Sequence, residues 1–162
     1  MCSEDRPSLL FVHGAWLGAW TYENYLRYFE SKGIPAAAID LRGHGGLPQD
    51  DRFLTSGQRE MAEDVVEACA RLGEVVLVGH SAGAAVAAVA ASRGASVGLV
   101  LLAPSPPAQL PGLERLSAEP EGAPVPPGPL AQIRLKFVPN HDDVAAQAFA
   151  ARIEQPVVWK FC

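Results

Sequence analysis

The run from Val75 to Ala85 reads Val-Val-Leu-Val-Gly-His-Ser-Ala-Gly-Ala-Ala. It is an apolar strand, a Gly-x-Ser-x-Gly turn, and then a helix of small residues. A serine on so tight a strand-to-helix turn takes strained dihedrals and presents its hydroxyl as a nucleophile for acyl transfer. The residues two positions either side must then be nearly free of side chain, and Gly79 and Gly83 are. Ala82, Ala84 and Ala85 let the following helix pack closely on its sheet. The same turn aims the Ala82 amide, and the positive end of the helix, at an oxyanion forming over Ser81. A Gly-rich turn that binds phosphate or simply packs shares this short pattern. A dinucleotide fingerprint fits poorly, because Gly-x-Gly-x-x-Gly is absent.

The elements that must position Ser81 alternate short apolar runs with amphipathic stretches. Leu9 to Val12 reads as a buried strand followed by a His13-Gly14 turn. Ala19 to Ser31 reads as a helix with Trp20, Tyr25 or Leu26, Tyr28 and Phe29 on its apolar face, capped at Gly33. Ile34 to Ile39 is a second strand, and Leu41 to Leu54 a polar, Gly-rich loop. Thr55 and Gln58 form a capping-box pair that opens a helix running to Leu72, where Gly73 stops it. Val75 to Val78 is a third strand, Ala82 to Ser92 a helix ended by Gly94, and Val97 to Leu102 a fourth strand. These strands are continuous apolar runs, which a parallel sheet covered by helices on both faces requires. The expected fold class is therefore α/β.

Beyond Pro104 the character changes. Nine of the fourteen prolines fall in residues 104–129, so this connection is either a functional lid or a mobile segment. Leu130 to Phe137 and Asp142 to Ile153 read as two helices, the second with Asp142 or Asp143 as N-cap. The expected organisation is a core over 1–104, a lid or cap segment over 105–155 and a tail over 156–162.

Composition excludes several classes of function. The chain of 162 residues is 49% hydrophobic and 19% charged, which is globular rather than disordered. Eighteen acidic against thirteen basic residues give a net charge of −5 with no basic block, so nucleic acid and anionic membranes are poor partners. Cys2, Cys69 and Cys162 form no close pair and no zinc cluster, so neither a disulfide framework nor a metal is expected. Cys69 reads as a small buried residue. Residues 1–7 are polar and acidic rather than a secretory signal, and the apolar run 82–91 is short of the roughly 20 residues that span a bilayer. A cytoplasmic location is expected.

Two further motifs accompany the serine. Phe11-Val12-His13-Gly14-Ala15-Trp16 follows the first strand, and Asp40-Leu41-Arg42-Gly43-His44-Gly45-Gly46 follows the second. In this order and spacing, the three motifs resemble the α/β-hydrolase superfamily, and within it the small esterase and hydroxynitrile-lyase-like branch. The resemblance covers residues 8–104 strongly and the remainder weakly. It implies that Ser81 is the nucleophile and that the amides of Ala15 and Ala82 form the oxyanion hole, with His13 and Gly14 shaping the turn that presents Ala15. Losing one such donor costs about 3–4 kcal/mol of transition-state energy. Trp16 and His80 would line or border the pocket, although Trp16 also fits a plain core aromatic. His13, His44 and His80 read as turn and packing histidines rather than proton carriers.

A serine needs a general base. The fold orders its triad Ser, then Asp or Glu, then His along the chain. After Ser81 the only histidine is His141, which stands before Asp142 and Asp143, between the two lid helices. It reads as exposed beside a helix N-cap. The acid and the histidine are therefore expected from sequence outside this chain. The fourth strand would otherwise be left as an apolar sheet edge, which natural proteins avoid exposing. Pro156-Val157-Val158-Trp159 could cover it only briefly. The chain is accordingly expected to be an α/β-hydrolase fold incomplete at its C-terminal side, completed by a second polypeptide or a C-terminal fragment. A truncated gene product and a minimal relative without catalysis are the competing accounts.

The function expected is a serine hydrolase acting on an ester, thioester or lactone of a small to medium apolar acyl group, without a cofactor. The alternatives are an inactive ligand- or partner-binding module and a non-hydrolytic lyase or cyclase on the same fold.

Overall fold

The computed structural model describes residues 6–105, 124–125, 127–153 and 157–158. Four strands, β1 (Ser8–Val12), β2 (Ala36–Ile39), β3 (Val75–His80) and β4 (Gly98–Leu102), form one parallel sheet in the order β2-β1-β3-β4. Their apolar runs divide by the two-residue period of a strand. Leu10, Val12, Val75, Leu77, Ala37 and Ile39 face one side, where α3 (Gln58–Leu72) and α4 (Ala82–Ser92) cover them. Leu9, Phe11, Val78, Ala36 and Ala38 face the other, against Tyr22, Leu26 and Phe29. The helices on both faces make this the α/β layering that the continuous strands require.

Local chemistry explains most boundaries. Gly73 ends α3 at φ 83°, a conformation that costs glycine little. Cys69 is buried within α3, where burial raises its thiol pKa and leaves it inert. Asp142 caps α6 (Asp143–Arg152) by accepting from the Ala145 amide at 2.8 Å, and α5 is Leu130–Phe137.

Four expectations are corrected. The stretch Ala19 to Ser31 is not one helix: Ala19–Tyr22 is a 3₁₀ turn and α1 is Glu23–Ser31. Tyr22, Leu26 and Phe29 pack on this face with Phe11, Tyr25 also meets the Phe11 ring at 5.8 Å although half exposed, and Tyr28 is exposed. The second strand starts at Ala36 rather than Ile34. The loop 41–54 contains the start of a short helix, α2 (Asp51–Thr55), N-capped by Asp50, whose carboxylate accepts from the Phe53 amide. It exists to insert Phe53, which is 1% exposed, under the bend at Gly43, where a Cβ would lie 2.1 Å from its ring. The capping pair of α3 is not Thr55 with Gln58. Gly57 is the N-cap and Glu60 accepts its amide at 2.7 Å, because Thr55 still belongs to α2.

The outer strand is only partly covered. Leu99, Val100, Leu101 and Leu102 are 37–44% exposed, and successive residues point to opposite faces, so both faces of β4 are only partly covered and its outer edge is unpaired among the described residues. Val157–Val158 (β6) does not lie on β4; it pairs antiparallel with Pro124–Val125 (β5). No helix among the described residues is long and apolar enough to cross a membrane.

Candidate active site

β1 leads to β2 on one side of the sheet and the chain then crosses to β3 on the other, so the topological switch point lies between the carboxyl ends of β1 and β3. Open α/β sheets place their ligands at that crevice. The turn after β1 and the elbow after β3 both end there, and with them all five residues singled out from the sequence: Ala15, Trp16, His80, Ser81 and Ala82.

The elbow has the expected strain. Ser81 sits at φ 52° and ψ −121°, one of three non-glycine residues with positive φ among those described, with Trp16 at 61° and Ala103 at 42°. Such a conformation costs on the order of 1–3 kcal/mol and persists only where neighbours enforce it. Here they do. The Ser81 amide donates to the Leu102 carbonyl at 3.0 Å, and the Ser81 carbonyl accepts from Ala84 at 3.1 Å and Ser105 at 3.2 Å. A Cβ on Gly79 would lie 2.7 Å from Ala84 Cα, and one on Gly83 only 2.1 Å from the His13 carbonyl oxygen. Both glycines are therefore required by space, as the tight turn demands. A Cβ on Gly14 would stand 3.0 Å from Ser81 Cβ, so the turn after β1 packs directly on the elbow.

Ala82 is the first residue of α4, and its amide is one of the four that a helix leaves without an intrahelical acceptor. Neither it nor the Ala15 amide donates to a protein acceptor among the described residues. Two amides on the turns that meet at the serine thus have their hydrogen-bonding capacity unspent among the described residues, which is the chemistry an oxyanion needs.

The histidines serve the scaffold. The Leu41 amide donates to His13 Nε2 at 3.1 Å, so the proton rests on Nδ1, which donates to the Gly14 carbonyl at 2.8 Å. That tautomer ties β1's turn to the chain after β2. Burial lowers the His13 pKa to about 3, with His44 and His80 adding to the shift and the Gly14 bond opposing it. His44 is also held low by burial, its Nδ1 3.0 Å from the Arg42 carbonyl. Arg42 in turn grips Asp64 of α3 through its amide and its guanidinium. His80 is half-buried, and burial lowers its pKa.

The depressed His13 pKa makes a prediction with a definite sign. The unfolded imidazole, near 6.5, takes up a proton that the folded one refuses. Stability from His13 is complete above pH 6.5 and falls as the pH drops toward 3. The loss approaches about 1.4 kcal/mol per pH unit. The His13 ring resonances in an NMR titration should stay in the neutral position from pH 8 to pH 5. A midpoint near 6 would show that the buried tautomer is wrong.

Trp16 is half-buried. Its ring meets Phe137 of α5 edge-on at 6.4 Å, within a cluster built on Leu17, Ile133 and Ile153. His141 is exposed between α5 and α6, immediately before the N-cap, and is not brought to Ser81. Sequence reading missed Ser105, whose hydroxyl lies 3.5 Å from Ser81 Oγ. Its signal was its place just past β4, at the carboxyl edge that also carries the elbow.

Comparison with known proteins agrees with this fold. A chloroplastic protein of Arabidopsis thaliana, "Putative methylesterase 12", is 31% identical over 87 residues, 52% of this chain and 25% of that protein. The chain therefore spans about a quarter of the length of that curated relative. The crystal structure of polyneuridine aldehyde esterase superposes with a TM-score of 0.56 at 27% identity, covering 64% of this chain and 42% of that one. An extracellular alpha/beta-hydrolase from a Paenibacillus species superposes with a TM-score of 0.72 at 16% identity, over 96% of this chain and 69% of that one, a likeness of fold. The model of the alpha/beta hydrolase family matches residues 9–161. With that match over nearly its whole length, the chain belongs to the alpha/beta hydrolase family.

Proposed function

We propose that this chain carries the nucleophile and the oxyanion hole of a serine esterase acting on a small to medium, largely apolar acyl ester, thioester or lactone. The observation that carries the reading is Ser81 held at φ 52° on the elbow, beside an Ala82 amide with no other acceptor among the described residues. The likeness to methylesterases and to an aldehyde esterase supports it. Ser81 Oγ attacks the acyl carbonyl while its proton passes to an imidazole. The amides of Ala15 and Ala82 take the charge that develops on the carbonyl oxygen. Collapse expels the alcohol or thiol with that proton, and water then cleaves the acyl-serine by the reverse route. The apolar residues of the lid hairpin, with Trp16 and His80, border the acyl pocket.

The imidazole and its carboxylate come from a second polypeptide or C-terminal fragment that completes the sheet. His13 and His44 are committed to the scaffold, and His141 stands apart on the lid. The state of β4 favours a partner of a particular kind. A second copy docked β4 to β4 would pair the edges but leave the exposed part of both faces uncovered. An added α/β unit, bringing a strand for the edge and a helix for each face, covers all three.

The test is the intact mass of the protein purified from its native source under denaturing conditions, before and after treatment with a fluorophosphonate. A second polypeptide beside the 17.2 kDa chain, with the adduct on the latter, is expected. A lone chain that takes no adduct would overturn the reading. The binding-module alternative, favoured by the lack of any histidine bonded to Ser81 among the described residues, would then stand.

A further inference from the structure

We infer that the α5–α6 hairpin positions the oxyanion turn, and that Phe137, Phe149 and Arg152 are positioning residues for the Ala15 amide. The inference rests on the assignment of that amide as an oxyanion donor.

The residue after Ala15 is the strained one. Trp16 at φ 61° is a bulky side chain in a left-handed conformation, which persists only where its surroundings over-determine it. From the core side the turn is held by Gly14 against the elbow, by a long Leu17 to Gly14 bond of 3.3 Å, and by the Ala19 amide donating to Asp40 at 2.6 Å. None of these grips the Trp16 side chain. The hairpin does. Phe137 meets the Trp16 ring, and Leu17, 4% exposed, is sealed by Ile133 and Ile153.

A second grip lies one turn further on. Phe149 packs edge-on against Trp20 at 5.5 Å, and Phe137 and Phe149 are themselves 5.8 Å apart. The Arg152 guanidinium stands 4.4 Å from the centre of the Trp20 ring and pairs with Glu23 at 2.7 Å. The hairpin therefore holds both ends of the segment that begins with the oxyanion turn. Each contact is weak alone, since exposed pairs are screened and mobile. Together they set the angle of one short, strained segment. A hairpin that lifts away lets Trp16 relax, and the Ala15 amide loses its aim at the reacting oxygen.

The test uses amide hydrogen exchange and kinetics on the assembled protein. Arg152 is exposed, so Arg152→Ala leaves the fold intact; Phe137→Ala removes the ring on Trp16 itself. In both variants the Leu17 and Ala19 amides should exchange at least about tenfold faster while Ala84, on the elbow, does not change. The kcat for ester hydrolysis should fall roughly tenfold with KM unchanged, the mark of an interaction used in the transition state. Unchanged exchange at Leu17 and Ala19, or equal acceleration at Ala84, would overturn the inference. Faster exchange at Leu17 and Ala19 in the two variants, with a wild-type Ser81 that takes no fluorophosphonate, would leave the clamp standing and sink the esterase reading.

Discussion

Ser81→Ala is expected to abolish fluorophosphonate labelling of the assembled enzyme and to lower kcat roughly a millionfold, the scale seen when a triad serine is removed. Its value as a test lies in how little else it disturbs. The polar contact of the Ser81 hydroxyl among the described residues is one long approach to Ser105, so no buried network is broken. Alanine must adopt the same φ of 52° as serine, so the strain is carried over unchanged and stability should move by less than about 0.5 kcal/mol. Ser81→Gly separates strain from chemistry. It is equally inactive, yet gains stability by relieving a conformation worth about 1 kcal/mol or more. Labelling that survives either change would place the nucleophile elsewhere.

The largest structural effect is expected at Gly83. A methyl group there would sit 2.1 Å from the His13 carbonyl oxygen and 2.7 Å from that of Val12. Both are main-chain atoms of a buried strand end, so no side chain can swing aside. The N-terminus of α4 must retreat from β1, and the Ala82 amide retreats with it. Gly83→Ala should cost about 3 kcal/mol or more, at the upper end of overpacking, and should lose labelling as well. Gly46→Ala is the control, because no atom of the described residues beyond its chain neighbours lies within 4 Å of its Cβ position; its stability should change little. Denaturant midpoints compare the two. Equal stability of both variants would mean that α4 does not pack as tightly as its geometry requires.

What local sequence could show, it showed at the elbow. A strained serine needs glycine at two fixed offsets and small residues in the next helix turn, and these demands all fall within residues 79–85. The four core strands were equally legible, because a sheet buried on both faces writes itself as unbroken apolar runs such as Val75 to Val78. The helix end at Gly73 and the cap at Asp142 are likewise decisions made within a few residues.

The failures share another cause. α2 has one apolar anchor, Phe53, and a five-residue helix has no period to read; its reason for existing is the hollow beneath Gly43. Thr55 looked like a cap until that helix claimed it, leaving Gly57 and Glu60 to open α3. Val157 and Val158 could be placed on no strand from sequence, because pairing with Pro124 and Val125 joins residues more than 30 positions apart.

Residue types and short-range spacing thus determined the fold class, the strands and the strained serine at the elbow. Tertiary packing alone decided that Ser105 lies beside that serine and that His13 is locked neutral between Gly14 and Leu41. It also seated the hairpin on the turn after β1. Those relations join elements distant along the chain, and no local dihedral preference or hydrophobic period encodes them.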